Sequence, residues 1–261
     1  MASPEPRRPS KHGGYGWMPD LPDARDHLYA APPEFLTALP PRVDLRGQCP
    51  AVYDQGQLGS CTANAIGGAF EFDLLRQKAA DFMPSRLFIY YNERVMENTV
   101  NSDAGAQIRD GIKSVAKQGV CPESELPYDI AQFAVQPLAQ CYTDALNHRV
   151  TSYQRVARLL NQLKGCLAHG NPFVLGITVY ESFESDQVAQ TGEVPMPAAG
   201  ELVLGGHAVM AVGYDDSQQR FTVRNSWGSG WGMAGYFTLP YAYLTERGLS
   251  SDFWTLLTVT G

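Results

Sequence analysis

The apolar pattern of this 261-residue chain changes period part-way along, and that change sets the fold class. The first part carries stripes at helical spacing. Ile66, Ala69, Phe70 and Leu74 form one, predicting a helix that starts at Cys61 with Ser60 as its N-cap. Ser85 to Glu97 reads as a second helix. Ile108, Ile112, Val115 and Ala116 form a third, stopped by Gly119. Val156, Leu159, Leu160, Leu163 and Leu167 predict a fourth, stopped by Gly170. Beyond it, Phe173–Tyr180, Ala208–Tyr214, Arg220–Asn225, Tyr236–Leu239 and Phe253–Val259 are β-rich runs between Gly, Asp and Ser turns. Helices gathered in one region and strands in another read as α+β. Apolar residues make up 44% of the chain, enough for a packed core in one large domain or two small ones.

The N-terminal 41 residues differ. They hold prolines 4, 6, 9, 19, 22, 32, 33, 40 and 41, half of the chain's 18. That spacing forbids sustained helix and favours extended backbone. Tyr15, Trp17, Leu21, Leu28, Tyr29 and Phe35 are scattered through it, more apolar bulk than a solvated tail carries. The segment reads as an extended strap docked on the body, as a belt or as a short pro-segment over a cleft.

Charge and cysteine usage exclude several classes of function. A net charge of −7 is opposite to the basic face of a nucleic-acid binder. No apolar run is long enough to span a membrane, and Arg7-Arg8 precede no apolar stretch of a signal peptide, so a cytoplasmic location is the expectation, with secretion by another route as the alternative. The chain is expected to be a monomer. The cysteines at 49, 61, 121, 141 and 166 are odd in number and none is paired as C-x-x-C, so neither a disulfide scaffold nor a zinc site is expected. Four of them read as inert buried thiols, with one native disulfide among them as the alternative. No cofactor is called for.

Three segments carry the chemistry. Gln55-Gly-Gln-Leu-Gly-Ser-Cys61 places a thiol at the first turn of a helix, where the dipole favours thiolate, the nucleophilic form. The Gln55 amide upstream suits an oxyanion hole. Gly205-Gly206-His207-Ala208-Val209 places an imidazole at the open start of an apolar strand, suited to act as a base. Arg224-Asn225-Ser226-Trp227-Gly228 offers an amide oxygen to orient that imidazole and an indole to shield the bond.

These segments resemble those of papain and the cathepsins: Gln-Gly-x-Cys-Gly-Ser-Cys-Trp, His-Ala-Val, and Asn-Ser-Trp-Gly-x-x-Trp-Gly. The similarity runs from about Arg42 to Gly261. His207 follows Cys61 by 146 residues and Asn225 follows His207 by 18. The first separation falls in the family window of roughly 130–150 residues. The resemblance implies a two-lobed fold, with a helical lobe near 51–150, a β-rich lobe near 151–261 that also takes 42–50, and a cleft between them for an extended peptide or protein substrate. It implies Cys61 as nucleophile, His207 as base, Asn225 as its orienting group, Gln55 at the oxyanion hole and Trp227 as shield. Gly105, in Asp103-Ala104-Gly105, stands where the family binds substrate backbone, and Gly176 leaves room for a large group in a pocket. Leu58 and Thr62 replace a family Cys and Trp, which suggests a divergent, bacterial branch. The order Cys, His, Asn leans to peptidase over acyltransferase, and retention of all four polar groups argues against a non-catalytic binding protein.

Overall fold

The computed structural model describes residues 14–260. The strap contributes β1 (Trp17–Met18), β2 (Leu28–Tyr29) and α1 (Pro33–Thr37), and β3 (Arg42–Asp44) follows. The helical part comprises α2 (Cys61–Gln77), α3 (Arg86–Met96), β4 (Ala106–Gln107), α4 (Ile108–Gln118) and α5 (Ala139–Ala145). The sheet-rich part comprises β5 (Val150–Val156), α6 (Leu160–Ala168), β6 (Phe173–Tyr180), α7 (Asp186–Thr191), β7 (Val203–Asp215), β8 (Arg220–Arg224), β9 (Tyr236–Pro240), α8 (Tyr241–Thr245) and β10 (Ser250–Val259). The arrangement is α+β and two-lobed.

The large sheet runs β2-β5-β10-β6-β7-β8-β9, with β3 added beside β7. Every pairing on this path is antiparallel except β2 on β5. Helix α2 is buried along most of its length, because it lies between the helices and strands β7 and β10. Small residues on it, Ala63, Ala65, Gly67, Gly68 and Ala69, allow that close fit.

One predicted helix was too long. Val156 closes β5, and the helix starts four residues later at Leu160. The spacing of Val156, Leu159 and Leu160 mimics a helical stripe, but Val156 is paired in parallel with Tyr29 of the strap. The strap therefore overrides a local pattern that its own distant sequence could not announce.

Two parts of the strap dock differently. Tyr29, Ala31 and Leu36 pack on the sheet-rich lobe beside α6 as a belt. Residues 14–20 instead run between the lobes, where β1 pairs in parallel with β4.

Candidate active site

Cys61 is the first residue of α2 and is fully buried. Ser60 holds the N-cap position, but its hydroxyl does not cap the helix. It meets the Tyr128 hydroxyl at 2.5 Å and accepts from Asn64 Nδ2 at 3.1 Å. The first turn of α2 therefore has no side-chain cap from Ser60, and the positive end of the helix dipole lies behind Cys61.

His207 stands in β7, at a register position opposite Ile177 of β6. Its Nε2 lies 2.8 Å from Asn225 Oδ1. Since Asn225 Oδ1 is an acceptor, Nε2 carries the proton and Nδ1 is the basic nitrogen. Nδ1 has no hydrogen-bond partner among the described residues. The Trp227 indole stacks on the imidazole with centroids 5.0 Å apart. Asn225 follows β8, where its Oδ1 also accepts from the Ser226 amide at 2.8 Å. The amides of Ala208, Gly16 and Thr62 point at the Cys61 sulfur, so the start of α2 meets β7 right beside His207.

Gln55 is fixed from both ends. Ser226 Oγ donates to its Oε1 at 2.6 Å, and its Nε2 donates to Leu58 O at 2.9 Å and to Gly14 O at 2.8 Å. The last contact sets a strap peptide carbonyl against the Gln55 amide. Gly105 stands at positive φ, with its N–H donating to the Tyr90 hydroxyl at 3.1 Å. Its neighbour Ala106 donates to Gly16 O at 2.7 Å, and a β-carbon on Gly105 would lie 2.0 Å from that oxygen. Gly105 thus provides close approach, and Ala106 provides the backbone donor.

The strap fills the cleft. Trp17 covers Gly176 and Gly206, where added β-carbons would strike its ring at 1.9 and 2.8 Å. Its indole Nε1 donates to Asp252 Oδ2 at 3.2 Å, and the Asp20 amide donates to the same oxygen at 2.8 Å. Asp252 is also held by Arg155 at 2.9 Å. Tyr15 rests edge-on to His207 and donates to Glu184 Oε1 at 2.5 Å. Asp20 in turn accepts from Arg109 N at 3.0 Å and Trp254 Nε1 at 2.8 Å.

This covering sets the protonation states. Burial pushes the Cys61 thiol up to about 11, against the opposing pull of the three amides. Burial pushes His207 down to about 4, with the Asn225 bond opposing. Burial under the strap therefore favours the neutral thiol and the neutral imidazole. Among the described residues, no cluster of three metal ligands lies at this cleft.

Asp252, Glu184 and Asp103 escaped the sequence reading. Asp103 accepts from Gly59 N at 3.0 Å and from the Tyr90 hydroxyl at 2.5 Å, so it ties the loop before Cys61 to the Gly105 segment. Only its place two residues before Gly105 hinted at a role. Glu93 was also missed. It is fully buried and bonded to Thr62 Oγ1 at 2.8 Å, which puts a polar pair where the family carries Trp beside the nucleophile.

Residues 39–253 match the papain family of cysteine proteases. The chain belongs to that family. Xylellain, a cysteine protease from Xylella fastidiosa, shares 45% identity with it and a TM-score of 0.90, over 98% of this chain and 99% of that one. An uncharacterized peptidase C1-like protein of Acanthamoeba polyphaga mimivirus is 42% identical, over 94% of this chain and 87% of its own length. Digestive procathepsin L 3 of Tenebrio molitor, at 22% identity and a TM-score of 0.67, covers 84% of this chain and shares the fold. The protease is thus a papain-like hydrolase with a bacterial relative of nearly equal extent. No helix among its described residues is long and apolar enough to cross a membrane.

Proposed function

We propose that the protease cleaves peptide bonds with Cys61 as nucleophile, His207 as base and then acid, and Asn225 as the group that holds the imidazole, and that residues 14–20 keep it restrained. The observation that carries the reading is the tautomer imposed on His207. The bond from Nε2–H to Asn225 Oδ1 leaves Nδ1 as the free base, and a thiol at an uncapped helix start is the matching acid. When the strap leaves and water and substrate enter, the desolvation that holds both groups neutral is relieved, and proton transfer from Cys61 to His207 gives the thiolate–imidazolium pair. The thiolate attacks the scissile carbonyl carbon. The oxyanion is received by the Gln55 amide and the Cys61 N–H. The imidazolium proton passes to the leaving amine, leaving a thioester. Water, deprotonated by the same imidazole, then releases the acid and restores the thiol.

The strap's pose supports restraint over turnover. The Gln55 amide is occupied by Gly14 O, while the Cys61 sulfur faces the Gly16 N–H, a donor and not an electrophilic carbon. Removal of residues 1–20 tests this, because it leaves the belt at Tyr29 and Ala31 in place. The shortened chain is expected to turn over a fluorogenic peptide faster than the full chain. Equal rates at equal active-site concentration would sink the restraint, and no turnover by either, with Cys61 intact, would sink the catalytic assignment.

A further inference from the structure

Away from the cleft, three side chains with metal-binding chemistry converge from positions far apart in sequence. Cys121 follows the Gly119 stop of α4, Glu125 lies in the turn after it, and Cys141 sits on α5. Their sulfurs and a Glu125 carboxylate oxygen all lie within 4.8 Å of one another. Both thiols are buried, and Glu125 opens to solvent. Asp144, on α5 three residues after Cys141, comes within hydrogen-bonding reach of the Glu125 carboxyl. Two buried thiols and a carboxylate that meet at one point, open to solvent on the Glu125 side, are the donor set of a thiophilic dication.

We propose that Cys121, Cys141 and Glu125 form a binding site for a divalent zinc-class cation, with Asp144, which stands outside that 4.8 Å cluster, swinging in from beside Glu125 as fourth ligand. A tetrahedral ion with sulfur at ~2.3 Å needs its sulfurs just under 4 Å apart, so the two thiols and Glu125, within 4.8 Å of one another, close on it by about 1 Å at most. The two thiols enter as thiolates, so two protons leave to solvent for each ion bound. The site is structural. Cys121 O accepts from Ser85 N at 2.9 Å at the start of α3, and Glu123 pairs with Arg86 at 2.5 Å. Tyr128, between the two cysteines in sequence, donates to Gln55 O at 2.9 Å and meets Ser60 Oγ. An ion that ties residue 121 to residue 141 therefore stiffens the loop buttressing Gln55 and the start of α2.

The test uses the full chain carrying Cys61→Ser, which removes competition from the cleft thiol, reduced and freed of metal. Titration with zinc against a chromogenic chelator is expected to give one ion per chain, a rise in the melting midpoint, and with Co2+ a thiolate charge-transfer band. Glu125→Gln, at the surface, leaves folding intact and weakens zinc by at least ~10-fold. Cys141→Ser in the same background abolishes the charge-transfer band. The proposal is overturned by absence of zinc uptake in the reduced chain, by undiminished affinity in either variant, or by recovery of residues 121 and 141 as a disulfide that takes up no zinc after reduction.

Discussion

Replacing Trp17 by Ala removes a buried aromatic contact that holds the strap in the cleft. Trp17 is 8% exposed and packs on two bare α-carbons, Gly176 and Gly206, with its indole nitrogen on Asp252. Truncation of a buried Trp to Ala costs ~3–5 kcal/mol. The space vacated here opens to the cleft and admits water, so the cavity part is small and the lower end applies. A loss of ~3 kcal/mol, at ~1.4 kcal/mol per tenfold, shifts the docked-to-open ratio of the strap about 100-fold. If the open form alone turns over substrate, kcat/KM for a fluorogenic peptide rises by that factor, or to the value of the chain lacking residues 1–20 if that is reached first. Active-site titration corrects for inactive protein, and circular dichroism confirms that the body is folded. An unchanged kcat/KM in folded Trp17→Ala would refute the reasoning, because it would mean that the docked strap does not limit access.

Other consequences follow from the same geometry. In the chain lacking residues 1–20, Gln55→Ala removes one oxyanion donor and lowers kcat by ~100- to 1000-fold with little change in KM, read from steady-state kinetics; a purely KM effect would argue against an oxyanion role. Two groups under the strap give docking opposite pH dependences: Asp20 makes it weaken as pH rises, whereas His207, pushed down to about 4 by burial from an ordinary 6.5, makes it strengthen over the same range. Burial, and then the Asp252 charge, push Asp20 up to about 6 from an ordinary 3.8. A raised carboxyl favours docking fully below the ordinary value, and that contribution is lost as pH rises through about 6. In a His207→Ala chain, where only the Asp20 part remains, hydrogen exchange at residues 14–20, corrected for intrinsic rate, should show more protection at acid than at neutral pH; the reverse order would contradict the Asp20 assignment. Gly176→Leu pushes a side chain into the Trp17 ring and should likewise raise turnover of small substrates by the full chain, whereas a fall for every substrate would show that the pocket and not the strap was damaged.

What could be read from the sequence was local. The helix at Cys61, the His207 strand and the Asn225-Ser-Trp segment are each spelled by a few adjacent residues whose chemistry needs them in that order. The two-period pattern reports the lobes for the same reason, since each face is written within one element. What stayed hidden depends on pairs far apart in the chain. Trp17 meets Asp252 across 235 positions and Tyr15 meets Glu184 across 169, so the strap's aromatics announced docking but not where. Val156 was drawn into the wrong element because Tyr29 pairs with it from the strap. Ser60 reads as a cap by identity, yet Tyr128 and Asn64 claim its hydroxyl. Cys121, Glu125 and Cys141 lack any spacing signature, because α5 returns the third ligand only in the folded chain.

The most direct test of the account is where a thiol-directed epoxysuccinyl peptide probe reacts. Intact mass of the chain lacking residues 1–20 should gain a single adduct at neutral pH, and peptide mapping should place it on Cys61. The full chain should react far more slowly, and His207→Ala should suppress labelling in both. An adduct on Cys49, Cys121, Cys141 or Cys166 with Cys61 unmodified, or labelling of Cys61 that is indifferent to His207, would contradict it.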